Sequence, residues 1–316
     1  MLRWMREHGY HINYEVADGA ASSGNLDVLR FIQSVGPENA TINASAITTA
    51  VENGHHNVAE FLSQMSEWNL RGRMTDEFSR AIEDGKLHVV QYLNENGYES
   101  RDYDIYKAAE NGHVDVVRYM LENRVGIDAD DALDRAARRG HLEVVKLLCA
   151  NGWVLSTYGV FEDVIKNGSF DILQILCQSG IDGAVRCAMV AAMKLGKLEF
   201  VKFLHELDPV GCADEGGYLT ADAAERGYLD IIKFFHECGD PRFFDLRAMH
   251  CAAVHGHLDI VKFLHENREE GCKHFTLQYT HEKGHHDIVD YLCENRPLKR
   301  VPNTTLTASD ATVERR

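Results

Sequence analysis

Apolar residues along this chain fall at helical spacing in short runs, and each run follows a glycine. The recurring phrase is two small residues, two variable ones, Gly, a polar residue, an apolar one, an acidic or polar one, and then an apolar run. It reads AASSGNLDVLRFI at 20–32, AVENGHHNVAEFL at 50–62, AIEDGKLHVVQYL at 81–93, AAENGHVDVVRYM at 108–120 and AARRGHLEVVKLL at 136–148. A looser copy, VIKNGSFDILQIL, stands at 164–176, followed by AMKLGKLEFVKFL at 192–204, AAERGYLDIIKFF at 223–235, AAVHGHLDIVKFL at 252–264 and THEKGHHDIVDYL at 280–292. The ten anchoring glycines, from Gly24 to Gly284, are spaced 27 to 31 residues apart. So regular a period marks an internal helix–turn–helix repeat.

Each part of the phrase has a mechanical reason. The glycine stands where one helix stops and the chain turns, because Gly takes positive φ without steric cost. The small pair before it lets the first helix approach its neighbour closely. After it, in the ninth unit, Leu258, Val261 and Leu264 share one face with Ile260 beside it, and Asp259 lies in the first turn, where the helix dipole favours an acid. One unit cannot bury its own apolar face, so units must stack. The pattern predicts an all-α solenoid of about ten repeats over 1–297, and a disordered tail, LKRVPNTTLTASDATVERR, over 298–316. The opening LRWMREHG reads as the second helix of a truncated further unit, so the natural protein is expected to have begun further upstream.

These residues resemble the ankyrin repeat, whose hallmark is an Ala-Ala pair followed by Gly-His-Leu-Glu/Asp-Val-Val-Lys-Leu-Leu. The resemblance runs from about 20 to 297. Its flavour is that of the large ankyrin families of oomycetes and giant viruses, where VKWLHENR-x-EGC is common; VKFLHENREEGC at 261–272 is similar, and VKFLHELDPVGC at 201–212 echoes it. The chain departs from the family in two ways. No Thr-Pro-Leu-His tetrad opens the first helices; Tyr103-Asp104-Ile105-Tyr106, Asp131-Ala132-Leu133-Asp134 and Arg247-Ala248-Met249-His250 stand in its place. Units of about 28 residues also leave little room for protruding hairpins, so short loops and a weak or absent β ribbon are expected. The resemblance implies a scaffold that binds another protein, without catalysis and without a cofactor.

Charge narrows the partner. Lys and Arg total 33 against 49 Asp and Glu, a net of −16, and outside the tail 29 basic residues face 47 acidic ones. Such a surface repels phosphate backbones, which excludes nucleic acid and favours a protein with a basic patch. No run of eighteen apolar residues suggests a membrane span, and the N-terminus lacks the pattern of a signal peptide. Eight scattered cysteines form no CxxC pair, and Cys149, Cys177 and Cys293 each follow a Leu where a thiol serves as apolar filler. An intracellular monomer is expected, in the cytoplasm with the nucleus as the alternative.

Three features invite a chemical reading. His281-Glu282-Lys283-Gly284-His285 matches the HExxH pattern of zinc hydrolases and is the one enzymatic or metal-binding alternative. That chemistry needs a continuous helix, and Gly284 is a turn glycine. His55, His113, His141, His257 and His285 follow turn glycines and read as links between adjacent turns. PVGCADEGGYLT at 209–220 is rich in glycine but lacks the strand, helix entry and Lys of a phosphate loop, so a mobile loop between units is expected. No catalytic triple and no metal ligand set emerges.

In ankyrin stacks the loop before each first helix and that helix's exposed positions line the concave side. Mapped onto that plan, the partner-binding residues are Tyr98, Glu99, Arg101, Asp102, Tyr103 and Tyr106, then Asp128, Asp130, Asp131 and Asp134, then Trp153 and Tyr158. Aromatic anchors beside acids suit a basic partner. The same composition also describes a solvated acidic face whose rings pack between repeats.

Overall fold

The computed structural model describes residues 11–295, apart from 66–67, 69, 128–129, 181–182, 215 and 272–274. The opening LRWMREHG, the tail 298–316 and Asp128 lie outside the described residues. Within them the chain forms 21 α-helices and no strand; an isolated bridge pairs Ile12 with Ala40. The expected short-loop, hairpin-free repeat is what the chain adopts.

The chain divides into two compact units, 1–191 and 192–316. In the first, helix pairs alternate as first and second helices: Tyr14–Ser23 with Leu26–Val35, Ser45–Glu52 with His56–Ser63, Met74–Glu83 with Leu87–Glu95, Ile105–Asn111 with Val114–Asn123, Ala132–Arg139 with Leu142–Ala150, and Val160–Lys166 with Phe170–Gln178. In the second, Leu198–Leu207 is a second helix. It is followed by the pairs Gly216–Arg226 with Leu229–Cys238, Leu246–Val254 with Leu258–Asn267, and Thr276–Glu282 with His286–Glu294. Within each unit most first helices pack on the next first helix and most second helices on the next second helix, and Ser45–Glu52 also meets the second helix Leu87–Glu95.

The small pairs make this stacking close. Ala108 and Ala109 of one first helix and Ala136 and Ala137 of the next are fully buried, and these two helices lie against each other. The second helices bury an apolar stripe. Val116, Val117 and Met120 lie wholly inside, each contributing about 1.5–3 kcal/mol. In the ninth repeat the buried set is Ile260, Val261 and Leu264, while Leu258 is half-buried. Of the expected face, Val261, Leu264 and the adjoining Ile260 are thus buried, and only Leu258 is partly uncovered.

Two sequence expectations are overturned here. The stretch 209–220 is not a mobile loop. Pro209–Asp214 forms an additional helix, and Gly216–Arg226 is a first helix that begins with the two glycines. Gly216 and Gly217 are buried. A Cβ at Gly216 would lie 2.7 Å from the Phe243 Cα, so the glycine permits helix and backbone to touch. Thr220 fixes that contact by donating its hydroxyl to the Phe243 carbonyl. The second correction concerns Cys293, which is exposed rather than filling an apolar gap. Cys149 and Cys177 are half-buried, and burial pushes the Cys177 thiol up to about 12.

The turns are closed by the expected glycines, all ten at positive φ. At Gly140 (φ 82°) its N–H donates to Ala137 O at 3.1 Å and the His141 N–H to Ala136 O at 3.0 Å, which caps the carbonyls of the first helix.

Candidate functional site

The segments that carry the candidate residues are held by polar joints between consecutive repeats. Histidines after the turn glycines supply one set. His113 Nε2 lies 2.8 Å from Glu83 O, and His141 Nε2 2.8 Å from Glu110 O. A carbonyl only accepts, so Nε2 carries the proton in each. His55 and His257 make the same bond to Ser22 O and Glu225 O. These imidazoles are structural links, as their spacing suggested.

A second set lies in the first helices. Asp104 is fully buried and accepts from the Ser79 hydroxyl of the preceding repeat and from its own loop's Arg101 N–H at 3.1 Å. Asp134 is buried and accepts four hydrogen bonds, from the N–H and hydroxyl of Ser156 and of Thr157, at 2.9–3.0 Å. In the second unit, His250 Nδ1 meets the Thr276 hydroxyl at 2.9 Å. Asp134 and His250 both fill the fourth place of the missing tetrad. At these two places an inter-repeat bond is kept although the residue differs, whereas Tyr106, at the same place, lies under the Arg135 guanidinium of the next repeat.

Two of the expected binding residues are removed from the surface by this packing. Asp134 is a loop clamp, and Tyr98 is buried after its helix ends. Neither can meet a partner directly. Asp102, Tyr103, Asp130 and Tyr158 are exposed, as is Glu99, while Arg101, Tyr106, Asp131 and Trp153 are half-buried. Tyr103 and Tyr106 stack at 6.0 Å, and the Arg135 guanidinium covers the Tyr106 ring at 4.3 Å. Arg101 pairs with Asp76 at 2.5 Å.

Beside these rings lie two adjoining cavities. One, of about 440 Å³, is lined by charge. There Arg135 binds Asp131 and Glu110, Arg139 binds Glu110, and Arg138 binds Asp163. Hydrogen bonds from Arg139 and Arg135 hold the Glu110 carboxyl below the usual range. The other, of about 450 Å³, is lined by Ile127, Trp153, Val154 and Leu155 with Asp130 at its edge, and Ser156 borders both. The sequence pattern does not single out Arg135, Arg138 and Arg139, because their acidic partners lie partly in neighbouring repeats.

The family described as "Ankyrin repeats (3 copies)" matches residues 78–156, 188–273 and 220–305, which together span more than half of the sequence. The chain belongs to the ankyrin repeat family. No curated protein matches it. As an ankyrin repeat chain it shows the helix pairs, buried small pairs and turn glycines that its sequence promised. The HExxH segment is broken: Thr276–Glu282 ends before Gly284 (φ 85°), and His286–Glu294 begins after it. The His281 ring instead lies 4.9 Å from that of His286. Among the described residues no group of His, Cys, Asp or Glu is placed to hold a metal, and no helix is long and apolar enough to cross a membrane.

Proposed function

We propose that this ankyrin repeat chain is a protein-interaction module that captures its partner on the side of its first helices and the segments preceding them, without catalysis. Ankyrin repeats are generally protein–protein interaction modules. One observation carries the choice of side. Among the described residues the exposed large hydrophobic ones are Tyr14, Tyr103, Val154, Tyr158 and Val190, the last in the first helix Ala184–Lys194, and further along the chain Val210, Tyr218, Leu246 and Tyr279. None of them belongs to a second helix. Single exposed apolar residues need no explanation, but their absence from the second helices, with all nine in first helices, the additional helix Pro209–Asp214 or the segments before first helices, favours that side. Five of the nine are tyrosines, which join apolar area to a polar tip and serve as binding anchors. The acidic balance, net −16, suits a partner with a basic patch.

A photo-crosslinking amino acid at four positions tests this reading. Tyr103 and Tyr218 lie on the proposed side; Arg118 and Lys233 are exposed on second helices. The expected outcome is a partner adduct from position 103 or 218 and none from 118 or 233. Adducts from 118 or 233 alone would place the interface on the second helices and end the proposal.

A further inference from the structure

We infer that the groove around Trp153 is a peptide-docking site that takes one bulky apolar side chain with a Lys or Arg beside it. This rests on the proposed interaction function and gives it a subsite and a partner chemistry. The groove is built, not incidental. Its wall is the segment that follows Gly152, where the Trp153 N–H donates to Leu148 O at 3.1 Å. Its far end is pinned by the four hydrogen bonds from Ser156 and Thr157 to Asp134. Between those fixed points Trp153, Val154 and Leu155 face the about 450 Å³ cavity together with Ile127. Val154 is 60% exposed in an otherwise acidic, well-solvated chain. A cavity of this size lies in the range that holds a ligand side chain and part of its neighbour.

The sign of the neighbouring charge follows from which carboxylates are already engaged. In the adjoining cleft Arg135, Arg138 and Arg139 are all paired with Asp131, Glu110 or Asp163, so that cleft offers little free charge of either sign. Asp130 lines the same groove, with Asn151 and Ser156, is exposed and enters no ion pair among the described residues. Its charge is available, and it selects a cation next to the apolar anchor rather than a phosphate or a carboxylate.

The test is selection of phage-displayed random peptides on the full chain, followed by fluorescence polarisation of labelled enriched peptides against variants. Trp153→Ala removes the apolar wall. Val154→Arg places a positive charge at an exposed position and so guards against a merely unfolded variant; a thermal melt of each variant accompanies the binding curves. Enriched peptides should carry a bulky apolar residue within two positions of Lys or Arg. Their affinity should fall about tenfold or more in both variants. Asp130→Lys should weaken them more at low salt than at high. Absence of enrichment, acidic peptides, or unchanged binding to Val154→Arg would overturn the inference. If peptides bind Val154→Arg but not Tyr103→Ala, the groove is wrong and the first-helix side stands. If only changes at Arg118 or Lys233 matter, both fall. If the chain is dimeric and Val154→Arg makes it monomeric, the occupant is a second copy and the peptide assignment is lost.

Discussion

An imidazole occupies the space that a Cβ would take at Gly112. With φ at 78° that glycine already needs the left-handed region, and a Cβ there would lie 2.5 Å from His141 Nδ1. The ring cannot step aside without giving up its bond to Glu110 O. Gly140 has the same backbone (φ 82°) but open space, because the next repeat offers Ser169 instead of His. The pair therefore separates two reasons for a turn glycine. Gly140→Ala should cost about 1–2 kcal/mol for conformation alone. Gly112→Ala should cost roughly 1–3 kcal/mol more from overpacking. Denaturant unfolding checks this, and Gly112→Ala with His141→Ser should recover the excess. Equal losses at both sites would show that the ring yields freely. The glycine and the histidine were both legible in the sequence. Their contact was not, because it joins residues one repeat apart.

At the scale of the element, the segment 151–158 depends on a buried carboxylate. Asp134→Ala removes the acceptor of four hydrogen bonds, two of them from backbone N–H groups. The expected loss is about 2–3 kcal/mol, together with faster amide exchange at Ser156 and Thr157. Retained protection there would mean the segment holds its shape by packing alone. The small pairs obey a different constraint. Ala109 and Ala137 sit where two first helices touch, so Ala109→Leu or Ala137→Leu should each lower the melting free energy by ~1–3 kcal/mol. An unchanged melt in both would contradict that close approach. Helix pairs of this kind could be read from the sequence because period, glycine and alanine all agree. The segment 209–220 could not. Two adjacent glycines carry a helix penalty of about 1 kcal/mol each, which argues for a loop. Contact with Phe243 outweighs that local preference, and local sequence does not reveal the contact. Asp134 and Tyr98 were misjudged for the same reason. Asp134 is engaged by Ser156 and Thr157, which lie outside its own helix, and Tyr98 is buried in the segment after its helix ends.

For the whole molecule the decisive quantity is the net charge of −16, which acts before any contact forms. On the proposed function, a basic partner approaching the first-helix side would feel the unpaired acids of that side most strongly. Asp102 and Asp130 are exposed and enter no ion pair among the described residues, whereas Asp131 is bound to Arg135 at 2.7 Å. Asp131 therefore contributes less to steering than its place in the sequence suggested. Replacing Asp102 and Asp130 together by Lys changes the net charge by four without touching the core. Stopped-flow association at low ionic strength should then slow several-fold, while dissociation changes little, because exposed rim charges act mainly on the encounter. At high salt, where the screening length shrinks to about 3 Å at 1 M, the two association rates should converge. Asp131→Asn at the same ionic strengths should give a smaller effect. An association rate that is indifferent to salt in the parent chain would show that the acids serve solubility and take no part in recognition.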